Sequence, residues 1–289
     1  MDKSLFLQQI DNYIKETYEQ FVSYQEIAHS ILVEFDRVSK ESNIDYYIAY
    51  GSLLGAIRDG GQIPWDYDID VIVKVGDRLR LLQALKEKLS DDFYYDYYDI
   101  NPTYPVYCIR VCKKGYSMMA LHVDVFFLIG VPLEKKKQDR FIALMHKCMK
   151  YRLGKYLDNY LDNKNVGKVS LYVHKFKRLL FKIVSGKLIN KIEKKLLYKY
   201  PLESSEFCIV YGLSKVLYPS DIFDGISLIQ IGNNSFSIPN HYNEFLDRTY
   251  GNWHSYLPIK NRFEEFYKMK NIVDERQARY KENSRDEKV

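Results

Sequence analysis

Residues 46–73, YYIAYGSLLGAIRDGGQIPWDYDIDVIV, decide the reading of this 289-residue chain. A short β-rich run precedes Gly51 and Ser52, a glycine-punctuated loop follows, and Asp66, Asp68 and Asp70 then alternate into the apolar run Val71 to Val73. In an extended strand residues two apart share a face, so the three carboxylates point one way while Ile69, Val71 and Val73 point into a core. Like charges on one partly buried face repel. Protonating them at neutral pH needs large pKa shifts, whereas one or two Mg²⁺ ions, hard cations that take oxygen ligands, remove the repulsion directly. A solvated acidic strand edge shows the same alternation, and DYDID alone does not separate the two readings. The residues before it favour a site. Gly51 and Ser52 lie about fifteen residues upstream, where a glycine-permitted turn offers backbone N–H groups and a hydroxyl to phosphate. Arg58, in the connecting loop, carries a planar fork of donors suited to a phosphate.

Upstream, Phe6, Ile10, Tyr13 and Ile14 predict a helix over 3–20, and Ile27, Ile31, Phe35 and Val38 a second over 24–40. Ile44 to Ala49 reads as the first strand, Leu53 to Ile57 as a short helix after the Gly-Ser turn, and Ile69 to Val73 as the second strand. Asp77 is placed to cap a helix that turns Leu79, Leu82, Leu85 and Leu89 inward. From Phe93 to Ile129 the period is two: Val106 to Val111 and Leu121 to Ile129 read as strands, with a turn at Lys113 to Gly115. His122, Asp124 and Phe126 share one face of the later strand. An unpaired carboxylate is costly there, so Asp124 either joins a metal site or pairs with a base such as Arg110. The four cysteines, Cys108, Cys112, Cys148 and Cys208, form no C-x-x-C pair and read as reduced core residues.

The segment from Glu134 to Tyr200 reads as helical, and from Lys168 to Tyr200 it carries about ten Lys or Arg against a single acidic residue, interleaved with apolar positions. A solvated face, an anionic membrane surface and nucleic acid are the three readings of that pattern. A net charge of only +5 and the lack of a nucleic-acid-binding motif argue against the last. Ile226 to Ile231 and Phe236 to Ile238 predict a hairpin turning at Gly232 to Asn234, followed by a helix over Tyr242 to Tyr250 that stops at Gly251. The charged tail after Asp274 is expected to fray. The N-terminus carries charges inside any would-be signal-peptide core and no run reaches a membrane-spanning length, so the expectation is a cytoplasmic protein, peripheral at most to the inner face of the membrane.

The run GSLLGAIRDGGQIPWDYDID, residues 51–70, resembles the signature of the LicD family of phosphotransferases, to which fukutin and fukutin-related protein belong. HVDVFFL, residues 122–128, resembles the family's second acidic strand, and Phe223 to Trp253 resembles its closing motif more weakly, with Asn252 where relatives more often carry Asp. The resemblance implies a mixed α+β fold: a nucleotidyltransferase-like mixed sheet flanked by helices, with a helical insertion. The corresponding divisions are 1–40 for N-terminal helices, 41–133 for the catalytic core, 134–220 for the basic insertion and 221–289 for the closing hairpin and helices.

The resemblance also implies Mg²⁺-dependent transfer of phosphocholine or a similar phospho-alcohol from a CDP-linked donor such as CDP-choline to a hydroxyl of a cell-surface glycan, with release of CMP. Lipopolysaccharide and teichoic acid are the kinds of acceptor implied, lipid-linked forms included. Asp68, Asp70 and Asp124 would hold Mg²⁺ (or Mn²⁺), with Asp66 in or beside the coordination shell. Asp124 would take the acceptor's proton, Gly51, Ser52 and Arg58 would hold phosphate, and Trp65 would stack on the base or brace the loop. Two alternatives remain at this point. One is a nucleotidyltransferase acting on a nucleoside triphosphate; the other is an inactive glycan- or membrane-binding module.

Overall fold

The computed structural model describes residues 12–156, 185–212 and 214–286. A long helix α1 (Asn12–Glu41) leads into β1 (Tyr46–Ile48), α2 (Tyr50–Arg58) and β2 (Ile69–Lys74). After a single 3-10 turn come α3 (Arg78–Lys88), β3 (Phe93–Asp96), β4 (Ile109–Lys113) and β5 (Val123–Gly130). Helices α4 (Lys135–Tyr156) and α5 (Gly186–Leu197) precede β6 (Phe207–Val210) and β7 (Tyr218–Pro219). The hairpin β8 (Ile226–Ile231) and β9 (Asn234–Pro239) and the helices α6 (Tyr242–Tyr250) and α7 (Ile259–Asp286) close the chain.

The sheet is mixed and curled, in the order β1-β2-β5-β4-β3. β2 and β5 run parallel, and the other pairs are antiparallel. β4 pairs with residues 123–125 of β5 and β6 with residues 128–130, so the two share one edge of the central strand. Buried on both faces, β5 reads VDVFFLIG, the near-continuous apolar run that a central strand requires. Helix α1 turns Ala28, Ile31, Leu32, Phe35 and Val38 onto the sheet, a helical stripe that buries each of them completely or nearly so. A second, smaller core joins Phe21 of α1 to Phe266 and Val273 of α7 around Tyr67 and Leu121.

Several expected boundaries shift, each for a visible reason. The helices expected over 3–20 and 24–40 are one helix from residue 12 onward, because no Gly or Pro interrupts residues 20–24; residues 3–11 lie outside the described residues. In α3 the inward stripe is Arg78, Leu81, Ala84 and Leu85, while Leu79 is 65% exposed. The 3-10 turn Val75–Asp77 rotates the start of that helix, and Asp77 makes no capping hydrogen bond. Gly51 and Ser52 lie within the first turn of α2 rather than in a turn before it. The tail does not fray at Asp274: α7 continues to Asp286, held down by buried Val273 and Gln277. The four cysteines are free and buried, as expected. No described helix is long and apolar enough to cross a membrane.

Candidate active site

The parallel pairing of β2 with β5 sets Asp70 directly beside Asp124, and β4 sets Arg110 on the other side of Asp124. Residues opposite one another in a sheet project to the same face, so the register makes a row Asp70, Asp124, Arg110 across three strands. Asp68 precedes Asp70 by two residues and His122 precedes Asp124 by two, which keeps both on that face at the mouth of the two strands. The donor atoms of Asp68, His122 and Asp124 all lie within 4.8 Å of one another. His122 Nε2 stands 3.5 Å from Asp124 Oδ2 and 3.8 Å from Asp68 Oδ2.

His122 is the informative member. It is 1% exposed, and neither ring nitrogen has a hydrogen-bond partner. A buried imidazole left unsatisfied is costly. With two carboxylates converging beside it, the donor set suits a divalent cation that accepts both oxygen and nitrogen, Mn²⁺ as readily as Mg²⁺. These residues therefore fit a metal ion. Sequence reasoning put His122 on the correct face but did not count it among the ligands; the His-x-Asp spacing on a strand was the available signal.

Charge in the site is divided unequally. Burial alone would push Asp124 up, but the Arg110 guanidinium and then His122 outweigh it and hold its carboxyl well below the usual range. Arg110 donates through Nε at 2.8 Å and Nη2 at 3.3 Å, and its Nη1 reaches the Met118 carbonyl at 3.3 Å. Asp66 and Asp70 go the opposite way. Burial, then the negative charge of Asp68, lifts both well above the ordinary carboxylate range, and Asp124 and Asp66 add to the effect on Asp70. Asp66 and Asp70 stand around the Asp68–His122–Asp124 triad without belonging to it.

The scaffold explains the rest of the motif. Ser52 Oγ accepts a hydrogen bond from the Asp70 backbone N–H at 2.9 Å, tying the start of α2 to β2. A Cβ on Gly51 would come within 2.6 Å of Asp66 Oδ2, so the missing side chain is the space that the carboxylate occupies. Gly55 is equally constrained, since a Cβ there would meet the Gly61 carbonyl oxygen at 2.5 Å and the Ile63 nitrogen at 2.7 Å. Gln25 of α1 donates to the Ile63 and Asp66 carbonyls at 2.9 and 2.7 Å, fixing the loop that delivers the acids. Tyr50, at the head of α2, has φ +48°, a left-handed conformation that costs a non-glycine residue about 1 kcal/mol. Its ring packs between Phe126 and Phe245. The phenol of Tyr250 on α6 is pushed up by burial first and then by Asp70 and Asp66.

Arg58 lies beside this group in a more committed state than a free phosphate fork. Its Nε and Nη2 bond Asp59 at 3.1 and 3.0 Å, and its guanidinium carbon lies 4.3 Å from the ring centre of Tyr256, whose hydroxyl also donates to Asp59. Trp65 is half-buried and packs against both cores, the position of a loop brace. Asn252 is exposed and bonds Ser255, while Trp253 is buried and donates to Asp247.

Residues 43–152, which contain the clustered acids of β2 and β5 and the glycine-bearing start of α2, match the LicD/FKTN/FKRP nucleotidyltransferase domain. The run at residues 51–70 that resembles the LicD signature lies inside that match. It is similar to the lipopolysaccharide cholinephosphotransferase LicD of Haemophilus influenzae, with 24% identity over 261 residues covering 82% of this chain and 92% of that protein. An uncharacterized protein of Rickettsia prowazekii is 26% identical over 133 residues, 44% of this chain and 46% of its own length.

Proposed function

We propose that the protein is a transferase that moves phosphocholine, or a similar phospho-alcohol, from a CDP-linked donor to a hydroxyl of a cell-surface glycan, with release of CMP. The observation that carries this reading is the unsatisfied, buried His122 converging with Asp68 and Asp124, in a chain similar to a lipopolysaccharide cholinephosphotransferase along most of its length. When bound, a divalent cation supplies charge neutralisation for the donor's pyrophosphate. Asp68, His122 and Asp124 would hold it, and Arg110 orients Asp124 for that task. Both Asp124 oxygens already accept from Arg110 and the group is held ionised, which suits a ligand better than a base.

The proton of the acceptor hydroxyl is then better assigned to Asp70, which the strand register sets beside Asp124 and whose carboxylate has no arginine partner among the described residues. As that proton passes to the Asp70 carboxylate, the acceptor oxygen bonds to the phosphorus bearing the alcohol, and the bond from that phosphorus to the CMP oxygen breaks. Arg58 has its Nη1 without a partner among the described residues, and that single arm, steadied by Asp59 and Tyr256, would reach a donor phosphate oxygen. A cytoplasmic site facing nucleotide donors is part of the proposal.

The test is a panel of CDP-alcohols assayed for CMP release with Mg²⁺ or Mn²⁺ and a cell-envelope glycan extract as acceptor. Turnover of one donor, lost on chelation and in Asp68→Asn, is the expected result. Pyrophosphate release from nucleoside triphosphates, with no CMP from any CDP-alcohol, would replace this reading with a nucleotidyltransferase, the alternative that the description of the matched domain favours. A pure glycan-binding module has no use for an unsatisfied buried histidine among carboxylates.

A further inference from the structure

Sequence reading drew attention to the basic segment 168–200, of which residues 185–200 are described; the more telling surface lies on α4. On that helix Lys136, Arg140, Leu144 and Lys147 form one exposed stripe with Lys150 beside it. The spacing of four, four and three residues keeps them on a single face over about 16 Å. The ion pairs on this helix's surface are Lys135 with Asp139 and Lys137 with Glu134, so the four basic residues of the stripe have no ion-pair partner among the described residues. Leu144 is 41% exposed in their midst.

The opposite face of α4 is fixed. Phe141, Met145, Cys148 and Met149 are buried, and Arg152 pairs with Glu193 of α5 in full burial. Glu193 is the only acidic residue of α5, so that helix offers the stripe no neutralising surface charge. Beside the stripe, between α4 and residues 215–217, lies a cleft of about 750 Å³ lined by Ile142, Leu217, Lys147, Lys150 and Lys215, together with Asp139, whose carboxylate is paired with Lys135.

We propose that this face of α4 docks on an anionic phospholipid bilayer, with the basic residues at the headgroup phosphates, Leu144 entering the acyl boundary and the cleft admitting one headgroup. Charge complementarity selects the partner. Four cations without an ion-pair partner among the described residues, spread over about four turns, exceed what one small anion needs, and a leucine at their centre gains from an apolar phase that neither a free phosphate nor a nucleic-acid backbone supplies. The inference stands apart from the transferase reading, because vesicle binding requires no turnover.

The experiment is flotation of the full chain with phosphatidylcholine vesicles with and without phosphatidylglycerol. Wild type is expected to float with the anionic vesicles only, and to be released at high salt but not by inorganic phosphate at constant ionic strength. The variant Lys136→Gln/Arg140→Gln/Lys147→Gln/Lys150→Gln should lose roughly 100-fold or more in vesicle affinity, and Leu144→Ser a smaller factor, with melting curves and activity on a soluble acceptor unchanged. Lys187→Gln/Lys191→Gln/Lys195→Gln on α5 should retain most of the binding. Failure of wild type to float, equal binding to neutral vesicles, displacement by phosphate, or undiminished binding by the α4 variant would each overturn the proposal.

Discussion

Replacing Arg110 with Gln tests the electrostatic logic of the site directly. Arg110 is 9% exposed, and its guanidinium makes two bonds to Asp124, one to the Met118 carbonyl and one to the Met119 sulfur. Without it, an ionised Asp124 remains beside Asp70 in the β2–β5 register and near Asp68, with repulsion where attraction had been. Deleting one partner of a buried pair costs about 3–5 kcal/mol. In a chain of this size each kcal/mol moves the melting temperature by about 2–4 °C, so a fall of roughly 6–20 °C is expected in EDTA at neutral pH. The second change, Asp124→Asn, removes the stranded charge, and the double variant should recover much of the loss, with a coupling energy of about 2 kcal/mol or more. Calorimetry of wild type, both singles and the double completes the cycle. Mn²⁺ should raise the melting temperature of Arg110→Gln, where the carboxylates remain, and should do little for Asp124→Asn. A single variant that melts within about 2 °C of wild type, or a double variant no more stable than Arg110→Gln, would refute the account of Asp124 as a charge held by Arg110.

Asp66 and Asp70 have folded-state pKa values above their unfolded ones, so the folded state binds more protons and metal-free stability should decline as pH rises from about 4. Asp124 has the opposite sign and adds its contribution only as pH rises through the acid range below that, so it does not cancel the decline; melting curves in EDTA from pH 4.5 to 8, with Asp70→Asn flattening the slope, check this. Gly55→Ala should cost at least about 2 kcal/mol, because both obstructing atoms are backbone, whereas Gly51→Ala should fold and lose activity through displacement of Asp66; chemical denaturation and CMP release distinguish the two. Arg58→Lys should raise the KM for the donor by about 5–10-fold with little change in kcat, since an ammonium keeps neither the Asp59 fork nor the flat contact with Tyr256; unchanged donor kinetics would leave Arg58 a purely structural role.

What was legible in the sequence was local. Alternation placed Asp70 of β2 and Asp124 of β5 on one face, although Asp66 and Asp68 lie in the loop before β2 rather than in the strand, and turn chemistry found the β8–β9 hairpin and the stop at Gly251. What was hidden depends on pairs distant in the chain. The pairing of Asp124 with Arg110 was one of the two readings of that isolated acid and is borne out; the register that sets the two residues opposite one another was not legible, since it is fixed by the whole sheet. Tyr250 comes under the influence of Asp70 and Asp66 only after α6 has packed against Tyr50, and Gln25 reaches the motif loop from a helix whose own pattern shows nothing but amphipathicity. The partner of the lone acid in the basic segment, Glu193, was likewise beyond local reasoning, because Arg152 belongs to another helix.

Helix α7 gives the site a dependence in time. Gln277 accepts from the Ser117 backbone N–H and donates to the Gly115 carbonyl, Arg276 reaches Tyr67 and the Met119 carbonyl, and Asp274 accepts from Tyr24 across 250 residues of sequence. The segment that carries Arg110's carbonyl contacts and leads into His122 is thus braced by residues synthesised after every acid of the site has emerged. On a ribosome adding roughly 5–20 residues per second, the acids between Asp66 and Asp124 would wait several seconds or longer for that brace. During that interval a nascent chain has the full complement of proposed metal ligands but lacks the clamp on their approach loop. Competence to bind the metal tightly should therefore arrive late, as one of the last long-range contacts to form.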